Sequence, residues 1–305
     1  MRRRDFLALS AAACVPRPPH RTEPRLVERW SWAMGQPVHL RLFHPDEARG
    51  LEAAQAALAE LRRVEGVLTR FDDASALSEL HRRAGHGWFD EAPELAVVLA
   101  AALRARTATG GAFDVTIEPL MRAWGFREPR KAPPGERELS EATAAVAAAV
   151  IELDGPRIRL PARHTRLDLG GIGVGYGMDR AGVVLGAHGV EAALLEVSGD
   201  LLALGAPPGS AGWGVEIIDP RHTGAILAST RLRDAALATS GQAVAVVELA
   251  GGRHGHVMDP ATGRPASRLL QATVTAPTAL AADVFSTATL VSPVGYPGVQ
   301  RRWTV

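Results

Sequence analysis

The sequence predicts an α+β fold, and three observations predict it. Helical periodicity dominates the first half, where apolar residues recur three and four apart between residues 46 and 107. Short apolar runs bounded by turn residues crowd into the second half, between residues 193 and 276. The two kinds of segment do not alternate regularly, which argues against a doubly wound sheet, and no internal repeat is present.

Val38 to Phe43 alternates as a first strand. Asp46 is placed to cap a helix running to about Val67, with Leu51, Ala54, Leu58, Leu61 and Leu68 at helical spacing. A second amphipathic helix runs from about Pro93 to Thr107, turning Leu95, Val98, Leu99, Ala102 and Leu103 inward. Residues 129–138, rich in proline and charge, read as a loop before an alanine-rich helix starting at Ser140. Strands around Ile158 and Leu167 lead into a glycine-rich turn, and the helix after Gly173 ends near Gly189. Strands follow near 193–197, 201–204, 213–218, 226–232, 244–249 and 272–276.

Apolar residues make up 47% of the 305, enough for a substantial core, and a net charge of +1 points to no nucleic-acid partner. Lys131 is the sole lysine, which removes Schiff-base chemistry and a P-loop lysine from consideration. With Cys14 the single cysteine, there is no disulfide framework and no thiol nucleophile in the globular part. Arg2-Arg3-Arg4-Asp5-Phe6-Leu7 and the short apolar run to Ala13 read as a Tat-type export signal, too short to span a bilayer. Ala11-Ala12-Ala13-Cys14 loosely resembles a lipoprotein cleavage box, which makes Cys14 the candidate for a lipid anchor. Simple cleavage or an uncleaved tail is the alternative. The expected organisation is a signal and Pro/Arg-rich linker over 1–29 and one domain over 30–305, lying outside the cytoplasm.

Two distant segments carry the chemistry. Residues 167–176, LDLGGIGVGY, read as a strand entering a glycine turn and then a helix, where backbone N–H groups can approach an anion. The spacing is not G-x-G-x-x-G, so a nicotinamide site is poorly supported. Asp283 and Thr287 are four apart on a helix flanked by Ala279, Leu280, Val284 and Leu290. A carboxylate and a hydroxyl one turn apart suit a hard cation such as Mg²⁺, and a buried aspartate needs a partner. His254 and His256 lie two apart, but no further ligands at zinc spacing accompany them.

The segment LDLGGIGVGYGMDR resembles the ApbE-type FAD:protein FMN transferases. The resemblance extends, in the family's order, through Met34-Gly35, Thr69-Arg70-Phe71-Asp72, Thr109 to Thr116, Trp124-Gly125-Phe126, Ala238 to Gly241 and His256 to Pro265. It implies an ApbE-like, T-fold-related domain with a mixed or antiparallel sheet and packed helices. It also implies Mg²⁺-dependent transfer of FMN from FAD to a Ser or Thr hydroxyl of an acceptor protein, with release of AMP. By the same resemblance Gly171, Asp283 and Thr287 hold Mg²⁺, with Ser286 beside them. Asp114, with Ala112 and Phe113, and Asp168 lie near the adenosine or flavin of FAD, and Met34 and Phe71 pack on the flavin. Taken alone, both aspartates also have a plainer reading, as turn formers capping local backbone. His256, followed by the cofactor-lining Val257, lies near the diphosphate and is the candidate general base. The chain departs from the family at Val174, where lysine or glutamate is usual, at Gly173, and at Gln242 to Ala245. Two alternatives stay open: an exported FAD carrier without turnover, and a Mg²⁺-dependent FAD pyrophosphatase.

Overall fold

The computed structural model describes residues 23–222, 224–243 and 245–305. The expected export signal and Cys14 lie outside the described residues. The fold opens with a hairpin of β1 (Arg25–Ala33) and β2 (Gln36–His44). Its two-residue turn, Met34 and Gly35, has φ of 58° and 68°, the geometry whose twist matches that of paired strands. β1 starts at Arg25, ahead of the domain boundary expected at residue 30. β1 escaped the sequence reading because most of its residues face solvent, leaving no apolar alternation to read.

Five helices follow: α1 (Glu47–Leu68), α2 (Ala76–Arg82), α3 (Pro93–Ala108), α4 (Glu118–Ala123) and α5 (Glu136–Ala148). Asp46 caps α1 as expected, its carboxylate accepting from the Arg49 N–H at 3.2 Å. α5 starts at Glu136, not Ser140, because the acidic residues assigned to the loop form its first turn, where the helix dipole favours them. After the small hairpin of β3 (Glu152–Asp154) and β4 (Arg157–Arg159) the chain forms no strand around Leu167; hydrogen bonds from the Leu167 N–H to His81 Nε2, 2.9 Å, and from the Asp168 N–H to the Val115 carbonyl, 2.7 Å, hold it. Then come α6 (Gly173–Ala187), β5 (Ala192–Val197), β6 (Asp200–Leu204), and the hairpin β7 (Trp213–Ile218) and β8 (Ile226–Leu232). β9 (Ala235–Gly241), the hairpin β10 (Val246–Leu249) and β11 (Gly252–Gly255), β12 (Gln271–Ala276), α7 (Ala279–Val291) and β13 (Arg301–Thr304) complete the order.

The main sheet runs β1-β2-β5-β6-β9-β12-β13, and each neighbouring pair is antiparallel. Alternation divides its residues between two layers. Leu40, Leu42, Ala193, Leu195, Ala236, Ala238 and Val274 pack beneath α1, α6 and α7. Leu194, Leu201, Ala203 and Leu237 point the other way, under Trp213, Val215 and Leu232 of the β7–β8 hairpin. A second apolar body joins α2, α3 and β4 to the ends of α1 and α7 through Leu68, Leu99, Ile158 and Val284. A third holds α4 and α5 against Leu249 and Met258. The glycine turn before α6 lies where these bodies meet.

Candidate active site

The site is built on two helices that cap each other. Gly175, in the first turn of α6, packs directly on the start of α7: a Cβ there would sit 2.4 Å from the Ala279 carbonyl oxygen. This approach lets the Gly175 N–H donate to Asp283 Oδ2 at 3.0 Å. In return Asp179 of α6 accepts from the Ala279 and Leu280 N–H groups of α7, at 2.7 and 3.0 Å. Each helix start leaves N–H groups unpaired, and each finds a carboxylate from the other helix. The glycine turn is therefore less open to an anion than its sequence suggests. Gly170 and Gly173 also direct their N–H groups to protein acceptors, Asp168 Oδ1 and the Leu169 carbonyl.

Asp283 is buried, and burial pushes its carboxyl well above the usual range; the neighbouring Asp200 carboxylate pushes it further. Thr287 lies one turn along α7, against Gly171, where a Cβ would meet its Oγ1 at 3.1 Å. The Ser240 hydroxyl of β9 lies 2.7 Å from that of Ser286 and 3.1 Å from that of Thr287. Ser286 donates to the Asp283 carbonyl at 2.9 Å, so its hydroxyl turns toward β9 and its own helix.

Asp114 and Asp168 are turn formers and also cleft residues. Asp114 Oδ1 accepts from the Thr116 N–H and hydroxyl, at 2.9 and 2.7 Å, while Oδ2 pairs with Arg106 at 3.0 Å. Asp168 accepts from the Gly170 N–H at 2.8 Å and pairs with the buried Arg127. Neither arginine was singled out from the sequence, since their partners lie 8 and 41 residues away.

These groups line two adjoining cavities of about 220 and 180 Å³ that share Gln36, Asp168, Gly170 and Val174. The larger takes in Ala112, Phe113, Asp114, Gly171, His256, Val257, Asp283 and Thr287, and among the described residues no lysine or arginine lines it. The smaller takes in Met34 and Phe71. Glu65 fixes Met34 by accepting from the Met34 and Gly35 N–H groups at 2.8 and 2.9 Å. Phe71 stands on the rim, 84% exposed, with the Arg70 guanidinium 4.1 Å from its ring centroid. The structure thus gathers the candidate residues into one cleft, except Ser286, which lies behind its wall.

His256 lines the larger cavity, and burial holds its pKa below the usual histidine range. Its Nδ1 is buried and has no hydrogen-bond partner among the described residues. Gln242, which stands where the family departs, donates through Nε2 to the Val257 and Ala266 carbonyls at 3.1 and 2.6 Å and so fixes the segment carrying His256. His254 turns elsewhere, its ring 4.9 Å from that of Trp124. Among the cleft residues that the sequence reading does not single out are Gln36, and Asp200 at the start of β6.

The model of the ApbE family matches residues 34–296. A FAD:protein FMN transferase of Haemophilus influenzae is 29% identical over 300 residues, covering 93% of this chain and 84% of the relative. One from Salmonella typhimurium is 30% identical over 254 residues, covering 81% and 73%. Among solved structures, the ApbE protein of Thermotoga maritima superposes with a TM-score of 0.80 at 27% identity, covering 88% of this chain and 87% of that one. The apo form of the Pseudomonas stutzeri flavinyl transferase ApbE gives 0.77 at 26%, covering 88% and 85%. With the family match spanning nearly all the described residues and the fold shared throughout, the chain belongs to the ApbE family.

Proposed function

We propose that the cleft binds FAD and transfers its FMN half to a Ser or Thr hydroxyl of an acceptor protein, releasing AMP. The observation that carries this reading is Asp283: a buried carboxylate, one turn from Thr287, in a cavity that no lysine or arginine lines among the described residues. A diphosphate enters such a place only with a cation. The relatives named FAD:protein FMN transferase support the choice of substrate.

The donor set fits Mg²⁺, a hard ion that takes few protein oxygens and completes its shell with water and phosphate. Asp283 Oδ1, the Thr287 hydroxyl and the Gly171 carbonyl would hold it, with Ser286 fixing the Asp283 turn from behind. When bound, Mg²⁺ neutralises charge on the diphosphate oxygens. Asp114 and Asp168, each fixed by an arginine, would orient FAD; Met34, Val174, Val257, Ala112 and Phe113 supply apolar wall, and Phe71 an aromatic face at the rim.

In the transfer the acceptor hydroxyl oxygen attacks the FMN phosphorus. A new P–O bond forms as the bond to the bridging oxygen breaks, and AMP leaves with that oxygen. Burial keeps His256 neutral at neutral pH, so its imidazole can accept the hydroxyl proton. The arginine pair and apolar run of the N-terminal sequence support export, where flavinylation of extracytoplasmic proteins would take place.

The test is incubation with FAD and Mg²⁺, with and without an acceptor protein, measuring AMP by chromatography and covalent flavin by in-gel fluorescence. AMP together with a fluorescent acceptor is expected, both lost in Asp283→Ala. His256→Asn should lower transfer about 100-fold or more with FAD affinity unchanged. AMP without labelled acceptor would mean a pyrophosphatase; bound FAD without AMP would mean a carrier and overturn the reading.

A further inference from the structure

Four carboxylates line the larger cavity, and two of them have no cationic partner among the described residues. Asp114 is paired with Arg106 and Asp168 with Arg127. Asp283 has the Gly175 N–H, and Asp200 has the Thr239 N–H, which donates to its Oδ1 at 2.9 Å. Asp200 Oδ2 takes part in no hydrogen bond or ion pair among the described residues. We propose that Asp200 is the second carboxylate that holds the divalent cation, together with Asp283, in the cavity that both line. This rests on the cation-dependent reading of the site given above.

The placement of Asp200 follows from strand geometry. Ser198 and Gly199, with φ of 50° and 98°, make the two-residue turn between β5 and β6, and Val197 pairs directly with Asp200. Alternation puts Asp200 on the face of Leu202, which belongs to the core beneath α1, α6 and α7. Its anchor, Thr239, is followed by Ser240, whose hydroxyl reaches Ser286 and Thr287 on α7. The β6–β9 pairing therefore brings Asp200 to the same wall of the cavity that faces Thr287 and Asp283.

Two carboxylates facing one cavity without a basic side chain between them repel each other, and a diphosphate would add to that repulsion. A divalent cation held by both removes it. Among the described residues no three His, Cys, Asp or Glu side chains converge on a metal position. Two carboxylates, a hydroxyl, a carbonyl and phosphate or water oxygens make up the oxygen set that Mg²⁺ takes.

The experiment is Mn²⁺ binding to the purified protein in the absence of FAD, followed by the electron paramagnetic resonance of free Mn²⁺. Asp200→Asn keeps an acceptor for the Thr239 N–H while removing the charge. It should weaken Mn²⁺ binding about tenfold or more, and its metal-free melting temperature should equal or exceed that of the parent, since a repulsion is gone. Asp200→Glu should recover part of the affinity. Unchanged Mn²⁺ binding in Asp200→Asn, with binding lost in Asp283→Asn, would overturn the role of Asp200 alone. Unchanged binding in both would overturn the cation site itself. A lowered metal-free melting temperature in Asp200→Asn, with no recovery in Asp200→Glu, would make Asp200 structural and overturn the proposal.

Discussion

At the scale of single residues, His81 shows how a titratable group outside the cleft bears on it. Its Nε2 accepts the Leu167 N–H at 2.9 Å, which requires a neutral ring, and so helps hold the segment leading to Asp168 and Gly171. Burial, aided by nearby Arg166, pushes its pKa down to about 4 from 6.5. Between these values the unfolded chain binds a proton that the folded chain does not, so stability rises with pH through the window. It is fully present above pH 6.5 and is lost progressively as pH falls toward 4. His81→Gln, which keeps an acceptor but does not titrate, should flatten the dependence between pH 6.5 and 4 in urea denaturation. An equally steep curve in the variant would remove His81 as its source. Legibility differed residue by residue. Asp283 and Thr287 could be read from four-residue spacing on an apolar helix, whereas His81 and Arg127 act on partners 86 and 41 residues away and left no local signature.

At the scale of elements, the reciprocal capping of α6 and α7 sets the position of the candidate metal-holding residues. Gly175→Ala would place a methyl against the Ala279 backbone, which cannot yield without separating the helices. We expect a loss of about 2–3 kcal/mol in unfolding free energy, with weaker Mn²⁺ binding because Asp283 shifts. Asp179→Ala should cost about 1–2 kcal/mol by leaving the Ala279 and Leu280 N–H groups uncapped. Both are measured by chemical denaturation, and a Gly175→Ala protein as stable as its parent would contradict the close packing. The long helices were legible because α1, α3 and α6 repeat an apolar stripe over 15 residues or more. The short ones, α2 and α4, with seven and six residues, give too few repeats to separate a helix from a turn. β9 was missed because ALATSG offers no polar alternation; it pairs on both sides and is buried along most of its length.

At the scale of the whole molecule, the seven-stranded sheet separates the layer that carries the candidate site from a supporting one. Trp213 lies in the supporting layer, buried with Val215 and Leu232 over Leu194 and Leu237. Trp213→Ala should cost about 3–5 kcal/mol in stability and leave FAD affinity unchanged at temperatures where the protein stays folded. A comparable loss of FAD affinity in the folded variant would show that the layers are coupled. Local sequence suffices for the α+β class, the long helices, most of the strands between 193 and 276, and the residue types offered to the cleft, because periodicity, caps and turn chemistry act within windows of a few residues. Tertiary contacts alone settle which carboxylates of the cavity have no cationic partner among the described residues. The Gly175–Asp283 hydrogen bond joins residues 108 apart, and the Asp200–Thr239 bond joins residues 39 apart. Such contacts depend on strand register and helix approach across the whole sheet, and no short window of sequence contains either.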